Sequence, residues 1–280
     1  MSHDTSRDMS YADYLDLRTL LSAQHPLAQP PQHDELLFII QHQTSELWFK
    51  LVLHELRSAR ELFERDELQA ALKRLARVKH IQATLTGQWS VLATLTPSEY
   101  SQFREFLATS SGFQSVQYRA VEFLLGNKKA EMVRVFDREP EWRAVLAELL
   151  DQPSLYDVFL QLLARRGFAV PREVTDRDWS QPYTPHDEVL QVFRQVYADP
   201  AAHWDIYETC EELVDLEDNF QQWRFRHLKT VERIIGTAPG TGGSSGVTFL
   251  RRALDQTFFP ELYAVRGVIA TGSVERSGER

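Results

Sequence analysis

Cysteine is nearly absent from this 280-residue chain, where Cys210 stands alone. No disulfide can close within the chain, and no multi-thiolate metal site can form. Basic residues are outnumbered, 31 Lys and Arg against 40 Asp and Glu, a formal net charge of −9. No basic block exists to neutralise a row of phosphates, so nucleic acid is not an expected partner. No apolar run approaches the roughly 18 residues that suggest a membrane span. Met1 to Ser10 is polar and lacks the apolar core of a signal peptide. The expectation is a cytoplasmic protein of a reducing compartment, with no membrane partner. What is present is ordinary for a globular chain: 43% hydrophobic and 25% charged residues, enough to bury a large core.

The patterning is helical throughout. Asp34 to Glu64 holds neither Gly nor Pro and reads as one long helix. Glu67 to Ala93 reads as a second, interrupted only by Gly87. Thr96, Pro97 and Glu99 form the N-cap, first-turn proline and capping-box acid of a third. Further helices fit Ser115–Leu125, Lys128–Phe136, Glu141–Leu150, Ser154–Arg165, Asp187–Tyr197, Trp204–Ile235, Val247–Phe258 and Glu261–Ala270. Arg166 to Pro185, with Gly167, Pro171, Pro182 and Pro185, reads as loop. There are no alternating strand pairs, hairpin signals or repeats. The fold class is therefore all-α, one helical domain with long antiparallel core helices. Residues 19–270 form that domain, 1–18 precede it as an arm, and 271–280 read as a disordered tail.

Two histidines interrupt apolar faces. Phe38, His42, Phe49 and Leu53 lie within about 60° of one another on the first long helix. Leu213, Leu216, Phe220, Trp223, His227, Val231 and Ile234 form a continuous stripe with His227 at its centre. Either histidine can be a core residue satisfied by one hydrogen bond. For His227 there is a second reading: one imidazole in apolar surroundings suits haem iron better than zinc, which takes three or four protein ligands. His42 and Glu46, four apart, offer the start of a carboxylate-bridged metal site. The paired Glu-x-x-His motifs of such bundles are missing, so that reading is weak.

Two loops offer binding groups. Gly240-Thr241-Gly242-Gly243-Ser244-Ser245-Gly246 is neither a P-loop nor a dinucleotide fingerprint, since no Lys-Ser/Thr follows it and a helix precedes it. Its glycines allow close backbone approach and closure; by composition alone it also fits a flexible linker. Tyr100 and Arg104, four apart, share a helical face, where guanidinium and phenol suit a carboxylate. A solvated arginine paired with a Glu is the plainer alternative. Ser110-Ser111-Gly112-Phe113 follows and can turn beside them.

Taken in order, these segments resemble one family. Phe38-Ile39-Ile40-Gln41-His42-Gln43-Thr44-Ser45-Glu46-Leu47-Trp48 resembles the distal-haem helix of the tryptophan 2,3-dioxygenases. Leu95 to Tyr100, with Phe103-Arg104 and Ser110 to Ser115, resembles their substrate segment. Gln222-Trp223-Arg224-Phe225-Arg226-His227 is similar to their proximal-ligand motif, and Gly240 to Gly246 to their mobile loop. The likeness runs from about Tyr11 to Phe259; Lys128–Ala202 carries less of it and the tail none.

The resemblance implies an all-helical haem domain assembled as a homotetramer. It implies insertion of both atoms of O2 across the indole C2–C3 bond of L-tryptophan, giving N-formyl-L-kynurenine, the first step of the kynurenine pathway. The implied cofactor is haem b, ferrous in the active state, with His227 as the axial iron ligand. His42 would be the distal residue on the indole N–H. Arg104 and Tyr100 would hold the substrate carboxylate, and Thr241 the ammonium group with a haem propionate. Ser111 and Gly112 would line the haem pocket near O2. Phe38 would pack on the indole, and Tyr11, Tyr14 and Leu15 would complete a neighbour's pocket. The chemistry is consistent with those roles. Triplet O2 needs a metal to share the spin change, and a zwitterion with an aromatic tail needs a cation, acceptors and an apolar slot. Two other classes stay open. A haem-based gas sensor would use His227 but not Arg104, Tyr100 and a closing loop. A haem-free interaction protein would show no Soret band.

Overall fold

The computed structural model describes residues 9–243 and 246–277, and none of them is in a strand. The helices are α1 (Tyr11–Tyr14), α2 (Leu17–Leu21), α3 (Glu35–Glu64), α4 (Leu68–Leu92), α5 (Pro97–Phe103), α6 (Val116–Leu125), α7 (Pro140–Asp151), α8 (Leu155–Arg165), α9 (Arg172–Thr175), α10 (Asp187–Ala198), α11 (Trp204–Ile235), α12 (Val247–Ala253) and α13 (Pro260–Ser277). Tight 3₁₀ turns cover Arg104–Leu107, Gly112–Gln114 and Ala130–Phe136.

Three long helices set the frame. A three-residue turn at Arg65–Glu67, with Asp66 at φ 63°, folds α4 back along α3. α11 packs on α4, so α4 lies against both long neighbours. Their facing sides supply Leu56, Ala59 and Phe63, then Leu75, Val78 and Ile81, then Leu213, Leu216 and Phe220, all in one core. Burying side chains of that size contributes about 1.5–3 kcal/mol each, against the entropy of ordering them. α6 and α8 pack on α3, while α10 packs on α13.

Most expected elements lie within a residue or two of their expected bounds, and the exceptions have tertiary causes. The helix expected over Val247–Phe258 ends at Ala253. Side chains of α11 take carbonyls at and beyond its end: Gln221 donates to Gln256 O at 2.6 Å, and Arg224 to Ala253 O at 3.0 Å. Lys128–Phe136 forms a 3₁₀ turn from Ala130. Lys128 is drawn away, its buried ammonium donating to the carbonyls of Leu149, Leu150 and Gln152 at the end of α7. The loop over Arg166–Pro185 includes the short α9. α13 runs to Ser277, past the expected end at 270, because no proline interrupts its hydrogen bonds; residues 278–280 lie outside the described ones.

The chain that follows the arm is rooted on α3. Buried Glu35 accepts the Leu27 and Ala28 N–H groups at 2.7 and 3.0 Å, and Gln43 donates to Ala23 O at 2.9 Å. Beyond that root the chain makes only the short α1 and α2. Ser10 closes a capping box with Asp13, and Asp16 at φ 48° ends the first turn. Tyr11 and Leu15, four apart, do not share a regular helical face, because Leu15 is already the C-cap.

Candidate active site

His42 stands on α3 one turn beyond Phe38. Its Nδ1 lies 2.7 Å from the Phe38 carbonyl oxygen. A carbonyl can only accept, so Nδ1 carries the hydrogen and Nε2 keeps a lone pair. Burial lowers the His42 pKa, against smaller opposing effects of that hydrogen bond and of Glu46. The ring is therefore neutral at pH 7, an acceptor at Nε2. The Phe38 ring lies 4.2 Å from His42, 5.6 Å from Phe103 and 6.0 Å from Tyr100. One wall thus joins α3 to α5.

His227 lies on α11 and stacks face to face on Trp89 of α4, 4.5 Å between centroids and 9° between planes. Trp223 closes another side at 5.4 Å. Burial, with a smaller contribution from the field of His42, pushes the His227 pKa down to about 4. The two imidazoles therefore share one electrostatic neighbourhood, although 185 positions separate them in sequence. No described residue hydrogen-bonds the His227 ring, which leaves a neutral imidazole with a nitrogen lone pair to give. A ligating histidine must be neutral to coordinate. Among the described residues no three His, Cys, Asp or Glu converge on a metal-sized site. The bridged site considered at His42 and Glu46 finds no support there: Glu46 accepts from Gln117 at 2.9 Å.

The expected shared helical face of Tyr100 and Arg104 is altered. The capping box at Thr96 and Glu99 forms as expected, but the α-helix stops at Phe103 and Arg104 begins a 3₁₀ turn. The two side chains still sense each other, since Arg104 opposes the burial that raises the Tyr100 pKa. The Arg104 guanidinium reaches across 135 positions to donate from Nη2 to Pro239 O at 2.5 Å.

The glycine loop lies on the Ser110–Ser111 segment. Thr241 Oγ1 donates to Ser110 O at 2.5 Å. A Cβ on Gly242 would stand 2.7 Å from Ser111 Cβ, so only glycine fits that approach. Gly246, at φ 55° with Ala238 O only 2.8 Å from where a Cβ would be, ends the loop under the same demand. Ser244 and Ser245 lie outside the described residues. Around Gly112, by contrast, an added Cβ would meet nothing within 4 Å.

The chain therefore gathers His42, Phe38, Tyr100, Arg104, Ser111, Gly112, Thr241 and His227 from five separated segments. It does not bring Tyr11, Tyr14 and Leu15 to them: these are 76%, 76% and 40% exposed. Sequence reading missed Trp89 and the Pro239 carbonyl. Trp89 follows Gln82 and Leu85 on the buried side of α4, so helical periodicity would have placed it inside. Nothing in the sequence pairs it with His227.

A profile of the tryptophan 2,3-dioxygenase family matches residues 1–150 and 191–269. The chain is 65% identical over 268 residues to tryptophan 2,3-dioxygenase of Kineococcus radiotolerans, covering 96% of this chain and 94% of that one. Identity is 64% over 263 residues to the enzyme of that name from Saccharopolyspora erythraea, covering 94% of each chain. It is 57%, with 94% of each chain covered, to the one from Serratia proteamaculans. The unmatched 151–190 holds α8, which packs on α3 and α6, and the proline-containing loop, away from both histidines in sequence. With the two histidine helices, the capped α5 and the glycine loop all inside the matched spans, the chain belongs to the tryptophan 2,3-dioxygenase family.

Proposed function

We propose that this protein is a haem-dependent dioxygenase that inserts both atoms of O2 across the indole C2–C3 bond of L-tryptophan, giving N-formyl-L-kynurenine in the first step of the kynurenine pathway. The observation that carries the reading is the pair of neutral imidazoles in one neighbourhood with complementary vacancies. His227 offers a lone pair that no described residue uses, and His42 offers Nε2 as an acceptor. A haem fits the first: one protein nitrogen at the iron, aromatic walls from Trp89 and Trp223, and open space at Gly112. Bound haem b, in its ferrous form, supplies the spin pathway by which triplet O2 reacts with a closed-shell ring.

The chain's own residues bind and orient. His42 Nε2 accepts the indole N–H and keeps the ring in one register, with Phe38 packed on its face. Arg104 uses one Nη2 donor on Pro239 O, and the rest of its fork meets the substrate carboxylate beside the Tyr100 hydroxyl. The Thr241 hydroxyl donates to Ser110 O, so its lone pairs accept from the ammonium group, together with a haem propionate. Ser111 and Gly112 line the pocket where O2 sits, and the glycine loop packed on them excludes water. Since both oxygen atoms enter the product, each turnover needs no external reductant.

Tyr11, Tyr14 and Leu15 complete the pocket of a neighbouring subunit in a homotetramer. Their exposure supports this: two tyrosines on a four-residue helix gain nothing from their own chain. No helix of the described residues is long and apolar enough to cross a membrane, in keeping with a cytoplasmic enzyme. The test is to add L-tryptophan in air to the reduced, haem-loaded protein and follow N-formylkynurenine absorbance. A protein without a Soret band, or one with the band and no product, would overturn the reading.

A further inference from the structure

Behind the pocket lies a buried charge cluster that the reading above leaves unused. Arg119 of α6 is 5% exposed. Its guanidinium carbon lies 4.7 Å from the Phe113 ring centroid and 5.2 Å from that of Tyr118. Nη1 donates to Glu122 Oε2 at 2.5 Å. Nε is buried with no hydrogen-bond partner among the described residues.

Glu122 is shared. Its other oxygen accepts from Arg224 Nη2 at 3.0 Å and from Asn127 at 3.1 Å. Arg224 is well supplied with acceptors, adding Ala253 O at 3.0 Å and Gln256 O at 3.2 Å. Two guanidinium groups thus divide one carboxylate, and Arg119 receives the smaller share of acceptors. A buried cation with one partner and an idle donor is expensive; an anion with two oxygens removes the cost. The cluster is one negative charge short.

Its position says which anion. Phe113, under Arg119, directly follows Ser111 and Gly112. Tyr118, on its other side, lies 5.3 Å from Trp223, which lies 5.4 Å from His227. Two packed rings, Tyr118 and Trp223, thus connect Arg119 to His227. The substrate carboxylate is matched to Arg104, which is held at the glycine loop instead. We propose that Arg119 is a seat for a haem propionate, its guanidinium fork taking the carboxylate that the chain lacks. The inference rests on the haem reading of the site.

The experiment titrates the full-length, haem-free chain with hemin and, separately, with hemin dimethyl ester, whose carboxylates are blocked. Wild type should prefer hemin. Arg119→Gln should weaken hemin binding about tenfold to a hundredfold, the range of a charge-assisted hydrogen bond, and leave binding of the diester nearly unchanged. An equal loss for both haems would mean that Arg119 only supports the fold. Unchanged hemin affinity with a raised tryptophan KM would give the seat to the substrate carboxylate; either result overturns the proposal. If Arg119→Gln does not fold, Arg119→Lys decides: it keeps the charge and loses the fork. Its preference for hemin over the diester should fall several-fold, and a preference equal to wild type overturns the seat. Failure of wild type to bind hemin at all would instead sink the haem reading.

Discussion

The two histidine helices and the amino-terminal arm differ in how firmly their own chain holds them. His42 and His227 sit on helices of 30 and 32 residues whose inner faces are the core itself. Each ring is fixed by a neighbour already in place, the Phe38 carbonyl or the Trp89 face. Tyr11 and Tyr14 stand on one turn of helix with three-quarters of their surface exposed. Burial preorganises the histidine side of the candidate pocket, while the arm finds no such support within its own chain. Long helices can hold a polar ring in the core because dozens of apolar contacts offset its cost; a four-residue helix holds nothing unless it docks.

The sharpest break in that comparison is His227→Ala. The core helix should survive, because the stripe around it remains, and circular dichroism should show a folded, helical protein. Haem content should fall to a small fraction, since propionate contacts alone are weaker than the iron–nitrogen bond. Stoichiometric haem with full activity would remove His227 from its role.

Deletion of residues 1–18 attacks the other half. The truncated chain should stay helical and bind haem, with tryptophan turnover severely reduced. Mixing it with full-length Arg104→Leu should restore some activity in hybrid oligomers, because only there do an intact arm and an intact Arg104 meet. No recovery after mass spectrometry shows subunit exchange would mean that the arm docks on its own chain.

Arg104→Leu alone should raise the KM for L-tryptophan by about tenfold to a hundredfold, roughly 1.5–3 kcal/mol for a hydrogen bond to a charged group. Indoles lacking a carboxylate should bind poorly to wild type. Normal handling of L-tryptophan by the variant would assign the carboxylate elsewhere.

His42→Ala should cost less, about tenfold in kcat/KM, for a lost hydrogen bond of about 1 kcal/mol or somewhat more. Intact haem with no detectable product would instead make His42 an obligatory base.

The smallest effect on turnover is expected from Glu217→Gln, which tests the scaffold of the preorganised half. Glu217 on α11 is buried and accepts the Phe259 N–H at 2.9 Å. Burial raises its pKa to about 7. The folded state therefore keeps a proton that the unfolded chain releases near pH 4.5, and its stability declines as pH rises through about 7. Gln carries no charge at any pH. The variant should match wild type below about pH 5 and exceed it above pH 7, by at most about 3 kcal/mol. Thermal unfolding at pH 5 and pH 8 checks this; a constant difference at both would assign the effect to packing.

Much of the candidate site is legible in the sequence alone. His227 stood out as the one polar residue in a seven-member apolar stripe, and Thr96-Pro97-Ser98-Glu99 announced its helix through capping chemistry that needs only local hydrogen bonds. The segments likened to known motifs, from Phe38 to Trp48 and from Gln222 to His227, fall on the helices expected for them. Less legible were the groups whose partners lie far along the chain. Pro239 contributes a backbone carbonyl, which no residue type advertises. Trp89 looks like any core aromatic. Arg119 reads as a surface cation on a short amphipathic helix, and only its burial beside Glu122 and Arg224 marks it otherwise.

The sequence by itself determined that the protein is all-helical, where its long helices run, and which two histidines interrupt apolar faces. Those properties depend on periodicity and caps within one or two turns. Only the tertiary structure decided that His42 and His227 share a neighbourhood, that Arg104 reaches the loop at Pro239, and that α12 ends at Ala253. Each depends on side chains meeting across more than twenty positions, where packing of α3, α4 and α11 fixes who faces whom. The tautomer of His42 was decided there too. A carbonyl four residues back is always near in a helix, but only burial removes the water that would compete for Nδ1.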